Sequence, residues 1–349
     1  MQKVISLNNS YATTCLCLRQ KQPNDSLQTG AAHKKSAVVP QKSGVFDLQD
    51  HAGFPGPFSY AAAGGDREGG LRRFGWIKHS YKKISGQWYI VDDEGKALEP
   101  VELESVEEYE ELPLISIVTV VYNGKAHLEE TIKSVISQSY PNIEYIIIDG
   151  GSDDGTLDII RKYEDRIDYW VSERDEGIYD AMNKGMRQAH GKWVNFMNAG
   201  DRMLYLNPSD LVERSRTFSN YFYDKKRRKI FRNPISWLYM TRNMPCHQSI
   251  IYRRSELVEF DKNIPVVADY CQLLAIMQRI QKGELGTSLV FFDDPGVSNM
   301  DKHSCSQMLR HWQSRNRCMK RYGPKIFYVI ALIHTVRLYL RCMIKQWLR

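Results

Sequence analysis

The chain has 349 residues, of which 42% are hydrophobic and 26% charged, and its formal net charge is +7. That length holds one large or two medium domains, and the apolar fraction excludes a wholly disordered chain. The seven cysteines show no paired metal-ligand spacing beyond Cys15-Leu-Cys17, which excludes a zinc ribbon and reads as reduced thiols rather than a disulfide framework. The first thirty residues lack the apolar centre of a signal peptide, so a cytoplasmic location is expected.

Residues 1–68 are rich in Ser, Gly, Gln, Ala and Pro without periodicity, and are expected to be a disordered or weakly ordered extension. Residues 69–112 read as a lead-in segment with a short strand over 87–91, followed by an acidic linker with six glutamates between Glu102 and Glu111. From 113 to 300 the pattern becomes regular. The run 115–121 is continuously apolar and predicts a buried strand, and Leu128, Ile132, Val135 and Ile136 then mark one face of a helix. Residues 144–149 predict the next strand, and Leu157, Ile160 and Tyr163 a helix. A short strand over 168–172 precedes a helix lined by Ile178, Met182, Gly185 and Ala189, and 192–197 predicts a fourth strand. This alternation predicts an α/β fold with a mostly parallel central sheet flanked by helices. Further on, helices are expected over 211–218 and 270–281, and strands over 249–252 and 288–292.

The charge is distributed unevenly. Residues 302–349 contain eleven Lys or Arg and no Asp or Glu, and Lys225-Lys-Arg-Arg-Lys229 forms a second basic cluster. Between Lys325 and Arg337 the charge-free run is only eleven residues, short of the ~20 that span a bilayer. Arg337, Arg341 and Lys345 recur at helical spacing beside Leu338, Leu340, Ile344 and Trp347. Residues 301–349 are therefore expected to form a basic helical region whose last helix lies on an anionic membrane surface. The alternative is a final helix packed on the catalytic domain. Nucleic acid is not expected as a partner, because no recognised binding motif accompanies the basic stretches.

Four short motifs fall at or beyond the ends of these strands: Val121-Tyr122-Asn123-Gly124, Asp149-Gly-Gly-Ser-Asp-Asp-Gly155, Asn198-Ala-Gly-Asp201 and Ala268-Asp269-Tyr270. Open α/β sheets bind ligands at the carboxyl ends of their strands. The turn after Asp149 is acidic and lacks the Lys of a phosphate-binding loop, so it suits a base or ribose and leaves phosphates to a metal. With 172–185 and Met244-Pro-Cys-His247-Gln248, these motifs resemble the GT-A glycosyltransferases, and within them the inverting family 2 of bacterial surface-polysaccharide type.

The resemblance implies a GT-A fold and transfer from a nucleotide-diphosphate sugar, expected to be a UDP-sugar, to a lipid-linked or growing glycan acceptor. It implies Asp269 as the base that takes the acceptor proton, with partial burial raising its pKa. Tyr122, Asn123, Asp149, Asp175, Asn198 and Asp201 would bind the donor. His247 and Gln248 would contact the acceptor or the phosphates. Asp201 would hold a divalent metal, Mn2+ or Mg2+, that neutralises the leaving diphosphate. The chain departs from the family pattern at Asn198 and Gly200, where the Asp-x-Asp motif has acids, and at Cys271, where another Asp is usual. The loop at 296–298, with residues 303 and 304, would close over the donor. A sugar nucleotidyltransferase and a non-catalytic nucleotide-sugar or carbohydrate-binding module are the alternative readings.

Overall fold

The computed structural model describes residues 4–5, 67–103, 108–264, 266–293 and 305–347. Nearly all of the expected N-terminal extension, the loop at 296–298 and residues 303 and 304 lie outside them. The first strands are β1 (Val4–Ile5), β2 (Glu68–Gly69), β3 (Ser80–Ile84), β4 (Gln87–Val91), β5 (Ala97–Leu103) and β6 (Glu111–Leu112). Five of them form a small sheet in the order β1-β5-β4-β3-β6, while β2 joins a separate large sheet. The segment expected as a lead-in and acidic linker is thus largely strand. Its alternate residues Tyr81, Trp88, Ile90 and Val101 are buried against the main core.

A pair of buried ion pairs fixes the lead-in to the main body. Arg72 donates to Glu144 at 2.5 Å, and Lys78 donates to Asp168 at 2.9 Å. All four side chains are at most 5% exposed. Glu144 also accepts from the Ser116 hydroxyl and the His190 backbone N–H, so its buried carboxylate is fully partnered.

The following elements alternate as expected: β7 (Ile115–Val121), α1 (Leu128–Ile136), β8 (Ile143–Asp149), α2 (Thr156–Lys162), β9 (Tyr169–Ser172), α3 (Ile178–Gln188) and β10 (Trp193–Phe196). Strands β7 and β8 are buried at every residue, which is why their sequences are continuously apolar rather than alternating. The remaining elements are β11 (Arg202–Tyr205), α4 (Pro208–Glu213), β12 (Phe218–Asp224), β13 (Lys229–Arg232), α5 (Trp237–Met240), β14 (Ile250–Arg253), α6 (Ala268–Ile280), β15 (Glu284–Phe292), α7 (Cys305–Tyr322) and α8 (Lys325–Trp347).

The large sheet runs β11-β15-β12-β14-β10-β7-β8-β9-β2, with β13 beside β12. Its centre, β10-β7-β8-β9, is parallel, and β14, β11, β13 and β2 are joined by antiparallel pairings. The order β8-β7-β10 means that the chain first steps to one side of β7 and later returns to the other. The carboxyl ends of β7 and β10 therefore flank a topological switch point.

The helix expected over 211–218 is displaced. Asn207 caps α4, accepting from the Ser209 N–H, and Pro208 occupies the first turn, so the helix starts early. It ends at Glu213, and Phe218 already belongs to β12.

At the C-terminus, α7 packs against the main body. The Arg315 guanidinium lies 3.9 Å from the Trp312 ring and 4.8 Å from the Tyr270 ring, and donates to the Met240 carbonyl. Cys318 and Met319 lie in the same core as α6. Helix α8 rests on α7 through Ala331, Thr335 and His334, with Asn316 donating to the Thr335 hydroxyl. Its opposite side leaves Ile326, Val329, Ile333, Val336, Leu340 and Ile344 exposed. Lys325–Ile344 is long and apolar enough to cross a membrane by length and composition, the one such helix among the described residues. The cysteines do not all match the expectation of reduced thiols: Cys246, Cys271 and Cys318 are free, while Cys342 is in a disulfide.

Candidate active site

The loops after β7, β8 and β10 meet at one rim of the sheet. The Gly150 N–H donates to the Val121 carbonyl, and the Ala199 N–H donates to the Val120 carbonyl. These bonds tie the three loops to the ends of adjacent strands. A side-chain carbon on Gly124 would collide with Val121 Cγ2 and lie in ordinary contact, 3.5 Å, with Ala199 Cβ on the third loop.

One end of the rim is built around Asp149. It is fully buried and accepts from the Ser152 N–H at 3.0 Å, the Ser152 hydroxyl and the Ser172 hydroxyl at 2.6 Å. A carboxylate has about four acceptor positions, so three of Asp149's are already used in shaping the turn. Asn123 also shapes this turn. It adopts a left-handed backbone with φ of 49°, and its side-chain oxygen accepts from the Asp153 N–H. Tyr122, in contrast, is 67% exposed and presents a free ring. Asp175 lies beside it: a side-chain carbon on Gly150 would fall 2.6 Å from Asp175 Oδ2 and 3.3 Å from Tyr122 Cδ2. Only glycine leaves that slot open. Asp175 accepts from the N–H of Gly177, the residue that precedes α3, which fixes its carboxylate in a turn ahead of the helix rather than as the helix cap.

The other end is a connected polar chain. His247 Nδ1 is 3.3 Å from Asp269 Oδ2, and His247 Nε2 is 3.3 Å from the Asn198 side-chain nitrogen. A ring nitrogen beside a carboxylate is the donor, which leaves Nε2 to accept from Asn198. Tyr179 donates its hydroxyl to Asp269 Oδ1 at 3.1 Å. Tyr179 follows Asp175 by four residues, so α3 connects the two ends of the rim. Sequence reasoning missed Tyr179, because its partner is 90 residues away and no local pattern signals the contact.

The electrostatics of Asp269 differ from expectation. Burial would raise its pKa, but the hydrogen bond from His247, with help from the Tyr270 N–H and Tyr179, holds it below the usual carboxylate value. Tyr179 is pushed above the ordinary range by its burial and by the Asp269 charge.

Asp201 sits apart from that chain but is joined to it through the 247–248 pair. Its Oδ2 accepts from Gln248 Nε2 at 2.7 Å and its Oδ1 from the Asp293 N–H at 3.0 Å. Burial raises its pKa to about 7. Gln248 in turn accepts from the Cys246 thiol. This donor set fits a resident divalent cation poorly, because Asn198 and Gly200 bring no carboxylate to the motif. Each Asp201 oxygen accepts one N–H, which leaves about two of its four acceptor positions, and Gly200 has φ of 105°. Among the described residues, no group of three His, Cys, Asp or Glu side chains is placed to hold a metal ion. Hard cations take six or more oxygens, usually including carboxylates.

The parallel-centred open sheet, with an acidic, glycine-lined rim at its switch point, agrees with the expected GT-A fold. Residues 116–277 match the family model Glycosyl transferase family 2, and this segment of the chain is a family 2 glycosyltransferase domain. The putative teichuronic acid biosynthesis glycosyltransferase TuaG of Bacillus subtilis is 38% identical over 114 residues, covering 31% of this chain and 45% of that one. The PGL/p-HBAD biosynthesis glycosyltransferase of Mycobacterium bovis is 32% identical over 164 residues, covering 41% of this chain and 60% of that one. The chain thus spans about half the length of these relatives. The structure of S. aureus TarS in complex with UDP-GlcNAc aligns at 15% identity and a TM-score of 0.47, covering 61% of this chain and 68% of that one. A mannosyltransferase from Pyrobaculum calidifontis, in complex with GDP-Man and Mn2+, aligns at 17% identity and a TM-score of 0.47, covering 65% and 70%.

Proposed function

We propose that this protein is an inverting glycosyltransferase that moves a sugar from a nucleoside-diphosphate sugar, a UDP-sugar in the first instance, to a lipid-linked or growing glycan in polysaccharide biosynthesis. The observation that carries the reading is the hydrogen-bonded chain Asn198–His247–Asp269–Tyr179 on the same rim as the free Tyr122 ring.

In this reading the nucleotide base stacks on Tyr122, and Asp149 acts through the turn it holds rather than by direct contact. Asn198 has a buried side-chain oxygen without a partner, which suits a ribose hydroxyl donor. The diphosphate lies beside the N-terminus of α3, where a helix favours anions. The acceptor hydroxyl attacks the anomeric carbon from the face opposite the leaving diphosphate, and Asp269 takes its proton. The lowered pKa keeps Asp269 ionised at neutral pH, and His247 and Tyr179 fix the carboxylate's orientation.

Family resemblance leads one to expect a bound Mn2+ or Mg2+, with Asp201 as its ligand. With Asn198 and Gly200 standing where the motif has acids, Asp201 takes a structural role in this reading, holding the loop after β10 to residue 293 and to Gln248. The exposed apolar side of α8, flanked by Arg337 and Arg341, supports peripheral attachment to an anionic membrane on the cytoplasmic side.

The test is incubation with a panel of nucleotide sugars and glycan acceptors, read by nucleoside diphosphate release and by NMR of the product's anomeric configuration. Release with inversion supports the reading. Tight nucleotide binding without turnover on any acceptor would identify a binding module.

A further inference from the structure

Asn183 lies on α3, one turn after Tyr179, and is 2% exposed. Its side-chain nitrogen donates to the Phe260 carbonyl at 2.9 Å, and its side-chain oxygen accepts from the Phe260 N–H at 2.8 Å. The amide thus pairs with both backbone groups of one residue, as a neighbouring strand would. Phe260 belongs to the segment between β14 and α6 that leads to Asp269. Its buried ring stacks on Tyr179, with centroids 5.6 Å apart and planes at 23°, and meets Phe196 edge-on at 5.2 Å and 80°. Phe196 ends β10 two residues before Asn198, and Tyr179 is the hydroxyl donor to Asp269. One ring therefore lies against the supports of both ends of the Asn198–His247–Asp269–Tyr179 chain.

We infer that Asn183 is a positioning residue for the transfer: by holding Phe260 in place it sets the Tyr179 hydroxyl, and through it the Asp269 carboxylate, in the orientation that receives the acceptor proton. The inference rests on the glycosyltransferase reading above. A side-chain amide offers a donor and an acceptor side by side, so replacing it with an aliphatic side chain leaves both Phe260 backbone groups without that partner. Released, Phe260 can shift, and the Tyr179 ring stacked on it shifts too. A hydrogen bond of 3.1 Å has little slack, and a misplacement of about 1 Å at a reacting group can cost about a hundredfold in rate. The ion pairs that join the same two segments, Arg187 with Glu259 and Lys262 with Glu176, are partly exposed and hold them far less firmly.

The test is single-turnover transfer by the full chain at saturating donor and acceptor, beside UDP calorimetry and thermal melts. Asn183→Ala is expected to slow transfer about tenfold or more, the contribution of one hydrogen bond to a charged group, with UDP affinity unchanged. Phe260→Leu keeps the backbone pair and removes the stacked ring. It should slow transfer alike, and it carries the test if Asn183→Ala does not fold. Both losses should vanish to within about twofold in a Tyr179→Phe background, where the hydroxyl they position is already gone. A purely packing role would lower the melting temperature and repeat any rate loss in that background. Variants that transfer at the wild-type rate, losses that multiply with Tyr179→Phe, or a Tyr179→Phe rate equal to that of the wild type each overturn the inference. If the wild type transfers sugar and the variants match it, the positioning role alone fails; if the wild type binds UDP but transfers to no acceptor, the glycosyltransferase reading fails with it.

Discussion

Replacing Arg72 by Met tests whether the lead-in segment is part of the catalytic fold. Arg72 is buried, donates to Glu144 at 2.5 Å and to the Gln188 carbonyl at 2.8 Å, and lies over the Tyr169 ring. Met keeps much of the volume but removes the charge, which leaves the Glu144 carboxylate buried with only His190 and Ser116 as polar partners. Breaking one side of a buried pair costs about 3–5 kcal/mol. At roughly 2–4 °C per kcal/mol for a domain of this size, the melting temperature should fall by about 6–20 °C. The pH dependence gives a second readout. Burial alone would raise the Glu144 pKa, but Arg72, His190 and Ser116 hold it well below the usual range. A depressed folded pKa contributes stability that is present above the unfolded value of about 4.3 and is lost as pH falls towards the folded one. The wild type should therefore lose stability below pH ~4.3 more steeply than Arg72→Met. Thermal unfolding followed by circular dichroism between pH 3 and 8 measures both. A shift under ~1 kcal/mol at pH 7 would mean that the pair relaxes into solvent and that residues 69–112 are an appendage.

Tyr122→Ala should weaken UDP binding by roughly 1–3 kcal/mol, the usual value of one base stacked on an aromatic ring, and calorimetry that shows no change would remove Tyr122 from the donor site. EDTA should change UDP affinity by less than about threefold, since Asn198 and Gly200 bring no carboxylate beside Asp201; a tenfold or greater loss would show that a cation is held. Truncation after Tyr322 removes the exposed apolar side of α8 and should abolish sedimentation with anionic liposomes, whereas full retention would place the attachment elsewhere.

The parallel centre of the fold is legible because β7 and β8, buried on both faces, permit only apolar residues, and the intervening helices bury one stripe each. The small N-terminal sheet is less legible. Its burial pattern is mixed, and the glutamates between 102 and 111 read as a solvated linker although Glu111 and Leu112 pair with β3. The site shows the same division. Positions at strand ends, such as Asp149 and Asp201, stand out by their place in the chain. Their hydrogen-bond partners do not, because Ser172, Gln248 and residue 293 come from distant segments. The lowered pKa of Asp269 was equally hidden, since it depends on His247 reaching across from the loop before β14.

The central claim is that Asp269 accepts the acceptor proton while the rest of the rim holds the donor. Asp269→Asn preserves the size of the side chain and its bond from Tyr179 but removes the basic oxygen. Single-turnover transfer measured beside UDP calorimetry should show a rate loss of about 10²–10⁴-fold, the usual contribution of a positioned base, with UDP affinity nearly unchanged. A variant that transfers sugar at close to the wild-type rate, or that loses nucleotide binding and transfer together, would contradict the account.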